Sequence, residues 1–188
     1  MKCILVGYPG SQCIVKASKY LTDKYLGWGF DIRYVNYTGG INEWATFLSG
    51  YLTAIKDKHI IFALDDYLIA SLMDIEKYHW AALAGIGAEI VSVKLCHSTP
   101  EEHEEYPVTT QYTIWDRKYL IDLLDHVHTP WQFEIDGSIL FKRGNKKTLH
   151  VPCLEYFTNS SISSRWEGIR LDGLKDEDIK YIKENGLI

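Results

Sequence analysis

Three apolar runs alternate with two amphipathic stretches over the first 64 residues, and this alternation constrains the fold more than any other feature of the chain. Residues 3–8 are apolar in sequence, the pattern of a strand buried on both faces. Residues 30–37 form a second strand, with Asp31 and Arg33 alternating against Ile32 and Val35. Residues 59–64 form a third, which runs straight into Asp65-Asp66-Tyr67. Between the first two, Ile14, Ala17, Tyr20, Leu21 and Tyr25 recur at helical spacing, and Gly27-Trp28-Gly29 stops the helix. Between the second and third, Asn42 caps a stretch to Lys56 whose stripe is Trp44, Phe47, Leu48, Tyr51, Leu52 and Ile55. Strand–helix units in a row predict a parallel sheet with right-handed crossovers.

The second half reads as more mixed. Residues 73–84 are a third helix, capped by Ser71 or Asp74, and residues 89–95 a fourth strand. Residues 98–105 are acidic, contain Pro100 and read as a loop. Residues 108–115 are a fifth strand, and Asp116 caps a helix to Leu124. Residues 130–133 open a short helix. Residues 139–143 and 148–151 read as a β-pair around the turn Gly144-Asn145, and residues 176–186 as a short amphipathic helix. The predicted architecture is one α/β, Rossmann-like domain with a mostly parallel central sheet and a mixed α+β C-terminal half. Residues 1–95 form the nucleotide-binding half, 96–175 the acceptor and catalytic half, and 176–188 the C-terminal helix.

A chain of 188 residues and 21.7 kDa suits a single domain. Its net charge of -5 counts against a protein that coats nucleic acid. No run approaches the ~20 apolar residues of a membrane span, and the start is too short for a signal-peptide core. Cys3, Cys13, Cys96 and Cys153 are scattered without zinc-site spacing, so reduced thiols in a cytoplasmic protein are expected. The 13 Tyr and 6 Trp call for a thick core or a surface that stacks flat ligands. There is no GxGxxG after the first strand, no GxxxxGK[ST] and no GxSxG, which removes the usual support for hydride transfer, P-loop chemistry and esterase chemistry.

Asp65 and Asp66 are the sharpest chemical feature. Ligands bind at the carboxyl ends of strands in open α/β sheets, and adjacent carboxylates there suit a divalent metal on a diphosphate. Capping of a following helix, with both side chains in water, fits the same dipeptide. Trp131 can stack on a sugar, and Glu134 sits among apolar residues as a general base would; a surface turn with Trp131 in the core fits too. Gln111 and Trp115 lie on a segment passing into a helix, with polar residues able to face a cleft or simply form a strand edge. His150 is a metal-ligand candidate or a structural histidine. The Ser160 to Arg165 run could hold phosphate or form a polar loop. Lys142, Arg143, Lys146 and Lys147 cluster as a guide for an anionic acceptor or as decoration of a hairpin.

Taken in order, these features resemble a small GT-A-type glycosyltransferase of the kind found in polysaccharide-synthesis clusters and in large viruses and phages. The resemblance spans roughly residues 1 to 170. It rests on Leu64-Asp65-Asp66-Tyr67 in place of an Asp-x-Asp motif, on Gln111 to Arg117, and on a Trp-x-x-Glu block from Trp131 to Glu134. It implies a GT-A-like domain that uses a nucleotide-sugar donor and a divalent metal, Mn²⁺ or Mg²⁺. Asp66 would hold the metal and Asp65 the ribose or sugar. Gly7, Tyr8, Asn36 and Tyr37 would hold the base, with the two tyrosines stacking on it. Trp131, Gln111 and Trp115 would shape the acceptor side, and Glu134 would deprotonate the acceptor hydroxyl if the reaction inverts configuration. The acceptor is a glycan or another hydroxyl compound. The acidic charge disfavours nucleic acid, although a modified base in viral DNA stays open as acceptor. Two other classes fit the pattern: a non-catalytic nucleotide- or carbohydrate-binding domain, and a metal-dependent nucleotidyltransferase or phosphohydrolase.

Overall fold

Strands and helices alternate through the first half as the apolar pattern requires: β1 (Lys2–Val6), α1 (Val15–Leu26), β2 (Asp31–Val35), α2 (Trp44–Thr53) and β3 (His59–Leu64). This computed structural model describes residues 1–7, 14–27, 29–83, 87, 89–96, 105–158 and 171–188. Tyr8, Cys13, His97, His103, the bulk of the acidic loop and the Ser160 to Arg165 run lie outside them. β1 pairs in parallel with β2 on one side and with β3 on the other. The two helices cover opposite faces. Trp44 of α2 packs against Phe62, with ring centroids 6.4 Å apart. Thr22 of α1 meets the Tyr112 hydroxyl at 3.4 Å. Phe62 pairs with Thr113, so Tyr112, one residue earlier, belongs to the other face.

Among the described residues the chain continues with β4 (Tyr67–Ile69), α3 (Ile75–Leu83), β5 (Ile90–Cys96), β6 (Thr113–Asp116), α4 (Arg117–Leu124), α5 (Pro130–Arg143), β7 (Lys147–Leu154), β8 (Tyr156–Thr158) and α6 (Asp176–Glu184), and a single 3₁₀ turn, Ile41–Glu43, precedes α2. The main sheet has six strands in the order β2-β1-β3-β6-β5-β7. β6 runs antiparallel to both neighbours, whereas β5 and β7 are parallel. The result is a mixed α/β fold with a mostly parallel sheet, as expected. Pro152 is tolerated because β7 is an edge strand with an irregular register against β5. Asp74, rather than Ser71, caps α3: its carboxylate accepts from Lys77 N at 3.1 Å. Asp116 caps α4 by accepting from Tyr119 N.

Two expectations are corrected. Residues 139–143 are the last turns of α5, not a strand, so there is no hairpin at Gly144-Asn145. Phe133, Gly137 and Phe141 recur at four-residue spacing as the buried face of that helix. Thr129 and Gln132 form a capping box, and Pro130 occupies the first turn. Gly144 and Asn145, the latter with φ 52°, end the helix rather than turn a hairpin. The fifth strand is shorter than 108–115, because residues 105–112 form a strap bonded mainly to α5 and to the ends of β3 and β5. An unanticipated second sheet pairs β4 with β8.

An aromatic cluster fills the α2/α5 face. Phe133 lies 6.0 Å from both Phe62 and Trp115 and 6.2 Å from Trp44, ring centroid to centroid. All four side chains are fully buried, and a buried phenyl ring of this kind contributes about 2–3 kcal/mol. This anchors the helix that carries Glu134.

The C-terminal helix docks through the buried Ile182, a stack of Tyr181 on Tyr20 and one buried charge. Asp178 Oδ1 accepts from Lys24 Nζ at 2.7 Å and from Tyr20 at 3.0 Å, and Oδ2 accepts from Tyr25 at 2.5 Å. Burial pushes the carboxyl upward, but the Lys24 ammonium and the Tyr25 and Tyr20 hydroxyls outweigh it and hold its pKa below the ordinary value. The unfolded chain therefore takes up this proton first on acidification. The stabilisation is complete above the ordinary carboxylate pKa and is lost as pH falls through the folded-state value. Asp178→Ala is expected to lower the unfolding free energy by about 3 kcal/mol at pH 7. The gap to wild type should shrink below about pH 4. Urea melts across that range check both statements.

Candidate functional site

The carboxyl ends of β1, β2 and β3 stand level, because Val6 pairs with both Val35 and Leu64. Gly7, Asn36 and Asp65 follow those residues and so share one edge of the sheet. Gly7 N donates to Val35 O at 3.0 Å and Asp65 N to Val6 O at 3.1 Å, which extends the ladder to this edge. β1 sits between β2 and β3, so the strand order reverses here. That is the place where open α/β sheets bind ligands.

Asp65 and Asp66 form the turn between β3 and β4, and both are nearly buried, at 4% and 1% exposed. The helix-capping alternative fails, since a strand follows them and α3 starts only at Ile75. Their hard oxygens suit Mg²⁺ or Mn²⁺. Among the described residues no three His, Cys, Asp or Glu side chains gather as a complete metal cage. A cation at Asp66 would therefore complete its shell with water and substrate phosphates, as small hard cations commonly do.

Glu134 reaches the same neighbourhood from α5. Its Oε1 accepts from Thr110 Oγ1 at 2.7 Å, Thr110 N at 2.8 Å and Thr109 Oγ1 at 3.2 Å. The Thr110 hydroxyl also lies 3.1 Å from the Tyr67 hydroxyl. Thr110 O accepts from Leu64 N at 2.9 Å, which ties the strap to the end of β3. Burial, with the Glu134 and Asp66 carboxylates adding to it, pushes the Tyr67 hydroxyl well above its ordinary pKa. Both acids thus act electrostatically on one buried phenol. Ser138 holds the strap further along, donating to Val108 O and accepting from Val108 N. Gly137 lets α5 approach this closely: a Cβ there would stand 3.2 Å from Val108 Cγ1.

The other candidates are placed as follows. Trp131 is 58% exposed on the first turn of α5, one turn before Glu134. Gln111 is half-buried, and its Oε1 accepts from Cys96 Sγ at 2.9 Å. Trp115 is fully buried against Phe133 and belongs to the core rather than to a cleft. Asn36 is exposed at the end of β2. Tyr37 is turned inward: its ring packs 4.8 Å from Phe47, and its hydroxyl donates to Gly40 O at 2.5 Å. Its ring holds the 38–40 loop instead of lying open to a base. His150 is on the far edge strand, and its Nε2–H donates to Cys96 O. β7 is three strand spacings from β3, on the order of 14 Å, so His150 does not join Asp66. Sequence reasoning missed Thr109, Thr110 and Tyr67. The two threonines carried no motif, and Tyr67 read as the residue after an acid pair.

No protein-family model and no curated protein sequence matches the chain. Solved structures do match its fold. A cytidylyltransferase from Leptospira borgpetersenii superposes with a TM-score of 0.50 at 10% identity, over 98% of this chain and 94% of that one. A glycosyltransferase involved in glycosylation of the major capsid of PBCV-1 gives 0.51 at 11% identity, over 82% and 92%. The protein A197 from STIV gives 0.50 at 12% identity, over 84% and 85%. The fold is thus that of GT-A-like nucleotidyl- and glycosyltransferases. No helix among the described residues is long and apolar enough to cross a membrane.

Proposed function

We propose that this protein transfers a sugar from a nucleotide-diphosphate sugar to an acceptor hydroxyl at the carboxyl edge of β1, β2 and β3. One observation carries the reading. Glu134 Oε1 and the Tyr67 hydroxyl meet at the hydroxyl of Thr110, and Tyr67 directly follows Asp66 at the end of β3, which brings the Glu134 carboxylate to the strand end that carries the acid pair. Two carboxylate functions in one site suit a reaction that needs one acid to hold charge and another to move a proton.

Asp66, with Asp65 beside it, would hold a divalent cation on the donor diphosphate. Gly7 and Asn36 line the nucleotide side, with Tyr8 carried as a further candidate on the resemblance alone. Trp131 offers a flat apolar face to the acceptor, with Gln111, which follows Thr110 on the strap, as a further candidate. When bound, the cation offsets the charge that develops on the leaving diphosphate. The acceptor oxygen attacks the anomeric carbon as the bond to the diphosphate oxygen breaks, and the bonding electron pair leaves with the diphosphate. Glu134 takes the acceptor's proton. Its Oε1 is already occupied by three donors, so the proton goes to Oε2.

Cytidylyl transfer is the second reading, because a cytidylyltransferase shares the fold over nearly the whole chain. Product analysis separates the two. With a panel of nucleotide sugars, Mn²⁺ and simple glycan acceptors, sugar transfer releases a nucleoside diphosphate. With nucleoside triphosphates and a sugar phosphate, nucleotidyl transfer releases pyrophosphate. Release of pyrophosphate alone overturns the glycosyl reading. Binding of nucleotide without any turnover marks a non-catalytic domain.

A further inference from the structure

We propose that Tyr67 is a positioning residue for Glu134, acting through the hydroxyl of Thr110. Tyr67 directly follows Asp66, yet its hydroxyl is committed to Thr110 at 3.1 Å, and Thr110 Oγ1 lies 2.7 Å from Glu134 Oε1. Proton counting sets the direction of the chain. An ionised carboxylate has no proton to give, and a threonine hydroxyl has one. Thr110 therefore donates to Glu134 and accepts from Tyr67. Each link polarises the next, so the Tyr67 donor strengthens the bond that reaches the carboxylate.

The surroundings keep this chain in place. Tyr67, Thr109 and Thr110 are all buried, so bulk water does not compete for the links. The Tyr67 ring meets Tyr156 edge-on at 5.1 Å, and its backbone carbonyl lies 3.4 Å from the Tyr112 hydroxyl. β4 holds the backbone through its pairing with β8. The opposite end is held by Phe133, the fully buried neighbour of Glu134. The consequence is orientational. Three donors converge on Oε1, which fixes the carboxylate plane and leaves Oε2 for the acceptor. The residue that ends the acid motif therefore sets the attitude of the base, which links the donor and acceptor sides of the site.

The kinetic part of the test rests on the sugar-transfer reading. Tyr67→Phe removes a single O–H and keeps the ring. Its kcat is expected to fall about tenfold, with KM for the nucleotide sugar within about twofold of wild type. In a Glu134→Gln background the same change should cost nothing further, because its effect passes through Glu134. Thr110→Val should lose more than Tyr67→Phe, and Thr110→Ser should restore kcat. Wild-type kcat in Tyr67→Phe, an equal loss in both backgrounds, or failure of Thr110→Ser to restore activity each overturns the proposal. Urea melts of Tyr67→Phe, Thr110→Val and the pair need no substrate. Additive losses show that the hydroxyls are not linked and overturn the chain whatever the enzyme does. Coupled losses in a protein that turns over no donor uphold the chain and overturn only the transfer reading.

Discussion

Asp66→Ala is expected to lower the rate of the proposed sugar transfer by about three orders of magnitude, with the protein still folded. Asp66 sits at the turn after β3, 1% exposed, on the edge where the three parallel strands end together. Without its carboxylate, only Asp65 at that turn would offer a side-chain carboxylate to a cation on the diphosphate, and in the proposed transfer the leaving group would depart with its charge less compensated. The fold is expected to survive because the substitution removes a buried charge instead of creating one. The core beneath it is the apolar ladder of Ile61, Phe62 and Ala63. Asp65→Ala should cost less than Asp66→Ala, in keeping with a contact to sugar or ribose. Nucleotide release measured beside circular dichroism and a thermal melt checks both. An Asp66→Ala enzyme with wild-type turnover removes the acid motif from the mechanism.

Glu134→Gln carries the second large effect, a loss of about 10²- to 10⁴-fold in kcat with donor binding retained. Glutamine is the informative replacement because its carbonyl can still accept from Thr109 and Thr110, while its amide cannot take a proton. Alanine is less informative. It would leave the Thr110 N–H and the two threonine hydroxyls without their acceptor, and a buried donor without a partner costs about 1–3 kcal/mol. Comparison of the two variants separates the chemical role of the carboxylate from its role in holding the strap. A Gln variant with unchanged kcat and an Ala variant that merely melts earlier would make Glu134 a structural clamp.

Much of the fold was legible because its first half obeys one rule. Two continuous apolar runs and one alternating strand are separated by helix-period stretches, and a parallel sheet with helices on both faces buries the two apolar strands. The acid pair was legible for a related reason, as two buried charges at the end of an apolar strand need partners, which marks the place as a site. Helix caps at Asp74 and Asp116 were readable from local chemistry. The second half was harder. Ile139-Leu140-Phe141 is apolar enough for a strand, and Gly144-Asn145 terminates a helix as readily as it turns a hairpin. Only the spacing of Phe133, Gly137 and Phe141, with the Thr129–Gln132 box, distinguishes them. The site divides along a similar line. Glu134 stood out as an acid on an apolar face, but Thr110 carries no local signal, since its importance comes from a strap that tertiary packing lays beside β3. Trp115 and Tyr37 were misjudged because aromatic side chains serve core and ligand surface alike, and here the core claimed both. His150 was separated from Asp66 by strand order, which no local pattern encodes.

In the proposed function, the carboxylates after β3 hold a divalent cation on a nucleotide diphosphate. Calorimetric titration of the full chain with UDP, with and without Mn²⁺, tests it most directly, with Asp66→Ala as the control. Binding is expected to strengthen on adding Mn²⁺ and to lose that gain in Asp66→Ala. Equal affinity with and without the ion, or an Mn²⁺-dependent gain that persists in Asp66→Ala, would contradict it.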